Sequence, residues 1–180
     1  IVHWKTAPGK KVGIIGLGGL GHMGVKLAAA MGAEVTVFSH SPKKKEDALR
    51  MGAKEFIVVK NKEDLKSESK KYDLIINTVS AEIDLEWYIE CLKLDGSIVL
   101  VGLPGKPYAI STPPLISQRR SVSGSMIGGM PELQEMLNFC GKHNIVSDIE
   151  LIDPEYINTA YDRTVASDVK YRFVINASKF

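Results

Sequence analysis

Three glycines, Gly16, Gly18 and Gly21, stand in a G-x-G-x-x-G spacing directly after the apolar run Val12 to Ile15. The alanine-rich stretch Val25 to Met31 follows them. A strand, a glycine turn and a helix in that order can hold a pyrophosphate on backbone N–H groups. Each glycine has a separate task. Gly16 permits the tight turn out of the strand, Gly18 lets the backbone approach the phosphates, and Gly21 lets the helix pack on the strand. Gly19 and Leu20 complete the cradle. A second chemical set comes eighteen positions after Gly21: Ser39, His40 and Ser41, then Pro42 and the lysines at 43, 44 and 45. A carboxylate about 20 residues beyond the glycines normally accepts from a ribose 2′-hydroxyl. Here hydroxyls and ammonium groups replace it, which favours a 2′-phosphate and therefore NADP(H) over NAD(H). The lysines also read as the solvated first turn of a helix with Ser41 at its N-cap and Pro42 at N1. The two readings agree, because a helix N-terminus attracts an anion.

Beyond these groups the chain offers little for catalysis. His3, His22, His40 and His143 are dispersed, with no metal-ligand spacing. Cys91 and Cys140 form no C-x-x-C pair, which suits a reducing cytoplasm and argues against a disulfide framework or a cysteine-rich zinc site. The net charge of +2 gives no electrostatic reason for nucleic acid or a membrane surface. No apolar run approaches the roughly 18 residues of a membrane span, and no signal peptide is read. The chain begins with Ile1 rather than Met, so a piece of a longer protein is expected.

The elements that must position these residues alternate. Strands are read at Val12–Ile15, Glu34–Phe38, Glu55–Val59, Asp73–Val79, Ser97–Val101 and Val122–Ile127. Helices are read at Gly21–Met31 with Gly32 as its stop, Pro42–Met51 with Gly52 as its stop, Ile83–Lys93, and Pro131–Lys142. The last two carry Cys91 and Cys140, each read as a small core residue. Residues 60–71 are charged and read as an exposed connector or short surface helix, and 107–120 as irregular. Strand–helix alternation of this kind implies an α/β fold, a doubly wound parallel six-stranded sheet of Rossmann type. Ligands in such sheets sit past the carboxyl ends of the strands. Gly16 to Gly21, Asn77 to Ser80 (with Thr78 and Val79), and Val101, Gly102 and Leu103 therefore converge. Residues 1–150 are read as the nucleotide-binding domain. The tail from Ile149 holds a short strand, a helix at 154–165 and a last strand at 171–175, and residues 151–180 read as a C-terminal segment returning toward another domain.

The stretches GLGGLGHMGVKLAAAMGAEVTVFSHSPKKKEDALRMGA, LIINTVS, LKLDGSIVLVGLP, GSMIGG with PELQEMLNFCGKHNI, and YRFVI resemble the cofactor-binding domain of medium-chain, zinc-dependent alcohol dehydrogenases, in their cinnamyl alcohol dehydrogenase branch. By that resemblance Ser39 and Lys44 hold the 2′-phosphate, while His40 stands where the branch usually has serine. Thr78, Val79, Val101, Leu103, Ser125, Met126 and Ile127 make the nicotinamide-side contacts, and Lys170 reaches the pyrophosphate. The resemblance implies an enzyme moving hydride between NADPH and a zinc-bound alcohol or aldehyde substrate. The zinc ligands belong to a catalytic domain absent here, so the isolated chain is expected to bind NADP(H) without catalysis. It also implies homodimers joined edge to edge through the sixth strands. Two alternatives compete. A methyltransferase wants an acidic residue where Ser39 stands. A stand-alone nucleotide-sensing regulatory module leaves the segment from Ile149 without a purpose.

Overall fold

The computed structural model describes all 180 residues. Six parallel strands form one sheet: β1 Lys11–Ile15, β2 Glu34–Ser39, β3 Glu55–Val58, β4 Tyr72–Asn77, β5 Leu92–Leu100 and β6 Ser121–Gly124, in spatial order β3-β2-β1-β4-β5-β6. The order reverses between β1 and β4, which opens the crevice where such sheets take their ligand. The helices are α1 Gly21–Ala30, α2 Lys45–Arg50, α3 Leu85–Ile89, α4 Pro113–Ile116, α5 Met130–His143 and α6 Ile157–Val165.

Strand periodicity of two sends neighbouring side chains to opposite faces. Val12 and Ile14 of β1, Val35 and Val37 of β2, and Leu74 and Ile76 of β4 enter one core with Val25 and Ala28 of α1 and Ala48 of α2. Ile15, Phe38, Ile75 and Ile98 enter a second core on the opposite face with Leu85, Tyr88 and Ile89 of α3. Both faces are covered, which explains why these strands read as continuous apolar runs.

Several boundaries differ from the sequence reading. The third helix is not Ile83–Lys93 but the short α3, capped by Asp84, whose carboxylate accepts from the Glu86 N–H. It stops because the backbone carbonyl of Cys91 accepts from Lys71 and Tyr72 and Leu92 pairs with Tyr72, so β5 begins earlier than expected. Asp95 and Gly96 still bend it, with Asp95 at φ 62°. The helix after β2 opens as a 3₁₀ turn, Pro42–Lys44, and Ser41 makes no side-chain cap. Residues 62–68 form a 3₁₀ helix held by an Asn61–Asp64 capping box. The sixth strand ends at Gly124 rather than Ile127, because its partner β5 ends at Leu100. The C-terminal segment supplies β7 Glu150–Ile152 and β8 Phe173–Ile175, which pair in parallel as a separate two-stranded sheet.

Candidate functional site

The glycine turn sits where β1 ends. Gly16 has φ +89°, and a Cβ there would lie 2.3 Å from Val79 Cγ1. A Cβ at Gly21 would lie 2.1 Å from the Gly16 carbonyl oxygen, so α1 can start this close to the strand only with glycine there. A Cβ at Gly18 would meet nothing within 4 Å, which leaves its outer side open for a ligand. The N–H groups of Leu17, Gly18, Gly19 and Leu20 have no acceptor within the chain, and α1 has no side-chain cap and no acidic residue in its first turn. Unsatisfied donors at an uncapped helix N-terminus are the arrangement a phosphate fits.

Side chains from three parts of the chain hold the turn by its carbonyls. Lys44 Nζ donates to the Leu17 oxygen at 2.9 Å, His22 Nδ1 lies 3.0 Å from the Gly18 oxygen, and an Arg172 guanidinium N–H donates to the Gly19 oxygen at 3.0 Å. With the carbonyls engaged on one side, the amides stay free for the other. Thr78 Oγ1 donates to the Ile15 oxygen at 2.7 Å and fastens the end of β4 to the start of the turn.

The residues expected at the 2′-phosphate lie together at the end of β2. Ser39 is buried, and its Oγ accepts from the Ser41 N–H at 3.2 Å, which curls the chain toward Lys44. His40 is exposed and makes no hydrogen bond. Burial lowers the pKa of Lys44; Asp47 opposes that shift and Lys170 adds to it. No carboxylate faces this corner from the Ser39–Ser41 segment.

The strand ends converge as expected. Val101 and Gly102 both donate their N–H to the Asn77 carbonyl at 3.0 Å, and Ser80 Oγ accepts from the Leu103 N–H at 3.2 Å. Asn77 is fully buried; its side-chain oxygen accepts from the Val79 N–H and its amide donates to Tyr108 Oη. The Ser125 N–H donates to the Leu100 oxygen, and Leu103, Met126 and Ile127 stand 85%, 91% and 93% exposed beside these strand ends. A hollow of about 510 Å³ opens next to them, between residues 82–86 and 104–111.

The family resemblance places Lys170 at the pyrophosphate. Its ammonium pairs with Asp47 at 2.9 Å on α2, and Arg172, two residues on, is the cation at the glycine turn. The two cations flank Tyr171 in the bend that precedes β8, and the bend sends one to α2 and the other to the glycine turn. His22 and Tyr171 were also missed as site residues. His22 is fully buried at the start of α1; its Nε2 accepts from the Asp148 N–H at 3.3 Å, and its ring stacks on Tyr171 with centroids 5.1 Å apart. Burial is the largest cause lowering its pKa; the Gly18 carbonyl and Asp148 oppose this, and Lys26 and Arg172 reinforce it. Among the residues of this chain no group of three or more His, Cys, Asp or Glu side chains is arranged to hold a metal ion.

Residues 19–142 match the family described as zinc-binding dehydrogenase. An NADP-dependent alcohol dehydrogenase C from Mycolicibacterium smegmatis is 55% identical over 176 residues, covering 98% of this chain and 50% of the relative. A cinnamyl alcohol dehydrogenase from Sorghum bicolor superposes with a TM-score of 0.94 at 40% identity, over 98% of this chain and 50% of that one. A cinnamyl alcohol dehydrogenase from Helicobacter pylori, solved with NADP(H), superposes with a TM-score of 0.89 at 42% identity, over 99% of this chain and 51% of that one. The chain thus spans about half the length of the relatives it matches.

Proposed function

We infer from this chain, which belongs to the zinc-binding dehydrogenase family, that it is the NADP(H)-binding part of an alcohol dehydrogenase or aldehyde reductase. The carrying observation is the pairing of an uncapped α1 N-terminus, with four free amides at the glycine turn, and a β2 end that presents Ser39 and Lys44 instead of a carboxylate. The names of the relatives support the same reading, since one is NADP-dependent and another was solved with NADP(H).

On this reading the amides of Leu17, Gly18, Gly19 and Leu20 take the pyrophosphate, and Arg172 adds a positive charge beside them. Ser39 Oγ and Lys44 Nζ take the 2′-phosphate. Thr78, Val79, Ser80, Val101, Gly102 and Leu103 line the nicotinamide side with Ser125, Met126 and Ile127, and the exposed apolar members keep water from it once covered. NADPH held by these residues would supply hydride chemistry for an aldehyde, and zinc would supply polarisation of its carbonyl oxygen. The zinc would sit in a catalytic domain toward which residues 151–180 return; the relatives are about twice the length of this chain. The protein works as a homodimer through β6, which is the terminal strand of its sheet and offers an unpaired edge.

Paired fluorescence titrations with NADPH and NADH test the reading. NADPH binds more tightly, and these 180 residues alone reduce no aldehyde. Equal affinities would remove the 2′-phosphate assignment, and robust aldehyde reduction would refute the division of labour.

A further inference from the structure

Lys44 does not point freely into water. From the 3₁₀ turn after β2 its ammonium reaches the Leu17 carbonyl, and it lies 5.9 Å from the centroid of the Tyr171 ring. That ring comes from the far end of the chain and is 3% exposed within the core that α1 and α2 share. It is itself fixed: His22 stacks on it with the two planes 16° apart, and its hydroxyl donates to Asp47 Oδ2 at 2.9 Å. Asp47 also accepts from Lys170 and Arg50, so its charge is engaged by three donors rather than by Lys44.

We propose that Tyr171 is a positioning residue for cofactor discrimination: its ring, with the Leu17 carbonyl, holds the Lys44 ammonium ready for a 2′-phosphate. This rests on the reading that Lys44 receives that phosphate. A lysine loose on the surface loses its rotamer freedom when it captures an anion, which weakens the capture; one already held has lost that freedom on folding. The choice of partner matters. An aromatic face attracts a cation without consuming an N–H donor or cancelling its charge, and the Leu17 oxygen uses one of the three donors of the ammonium. Two donors therefore remain for the phosphate. A carboxylate in place of the ring would hold Lys44 equally well but compete with the ligand.

The test measures NADPH and NADH dissociation constants by nucleotide fluorescence for the wild-type chain and for Y171F, Y171L and Y171M. Phenylalanine keeps the ring and loses only the bond to Asp47, so Y171F retains the NADPH-over-NADH ratio. Leucine and methionine remove the aromatic face, and the ratio falls about three- to tenfold with NADH affinity little changed. A merely structural role would weaken both cofactors together and leave the ratio intact. An unchanged ratio in Y171L and Y171M overturns the proposal while the 2′-phosphate reading stands. Loss of NADH binding in both variants overturns it as well, because the ring then supports the whole site. Equal NADPH and NADH binding by the wild type overturns both readings at once.

Discussion

Lowering the pH from about 7.5 to about 5.5 should destabilise this chain through one side chain, His22. Its ring is fully buried, with the Gly18 carbonyl at Nδ1 and the Asp148 N–H at Nε2. An acceptor on one side and a donor on the other select the neutral tautomer with its proton on Nδ1. A second proton on Nε2 would face an N–H, and burial adds to that penalty, so the folded-state pKa lies below the ordinary 6.5. The sign follows from proton binding. Below pH 6.5 the unfolded chain takes up a proton that the native state refuses, so the stability present above that pH is lost as the pH falls. One such proton gives a slope of at most about 1.4 kcal/mol per pH unit, so the loss by about pH 5.5 is at most about 1.4 kcal/mol. For a chain of this length that is a fall in Tm of about 4 °C. The carboxylates held below their ordinary range, among them Asp47, Asp73, Glu68, Asp148 and Glu150, start from ordinary values of 3.8 or 4.5, and their losses come in more acidic solution. The assay is Tm by circular dichroism at three pH values for the wild type and for H22Q, which keeps a hydrogen-bonding amide but does not titrate. The wild type loses stability across this window and H22Q does so far less. A flat wild-type profile, or the same slope in H22Q, would refute the assignment of the linked proton to His22.

Three further outcomes follow from the site. S39D places a carboxylate beside the proposed 2′-phosphate; at about 4 Å in a partly solvated site each like-charge pair is worth about 4 kcal/mol, so NADPH affinity falls at least about a hundredfold while NADH affinity holds or rises. An unchanged cofactor ratio in the paired titration would sink the Ser39 assignment. R172Q weakens NADPH and NADH alike, by about tenfold, through loss of a charged donor near the pyrophosphate, whereas K170Q leaves both nearly unchanged; the reverse pattern would restore Lys170 to the glycine turn. Light scattering should return about twice the 19.7 kDa chain mass if β6 joins two copies, and a monomeric mass across the working concentration range would count against that interface.

Much of this fold was legible before any coordinates, because it depends on local rules. The glycines at 16, 18 and 21, the β-branched run of β2 and the stops at Gly32 and Gly52 state their roles through backbone sterics, and both stops adopt positive φ. Apolar runs fix which segments become buried strands, and their alternation with helices requires a parallel sheet. The end of α3 was not legible, because it is decided by the pairing of Leu92 with Tyr72, twenty residues earlier. Nor was the shortening of β6, which stops where its neighbour stops.

The same division runs through the site. Sequence alone determined that a glycine turn follows β1 and that no carboxylate follows β2, since both are statements about which residue stands where along one strand–turn–helix unit. Which distant side chains hold that turn was decided only by the tertiary structure. Lys44, His22 and Arg172 meet the carbonyls of Leu17, Gly18 and Gly19 from three separate elements, and Tyr171 reaches Lys44 across 127 positions of chain. His22 meets Gly18 four positions away, but the Lys44, Arg172 and Tyr171 contacts follow from the path of the backbone through the sheet crossovers. The spacing of residues along the chain carries no trace of those distant contacts.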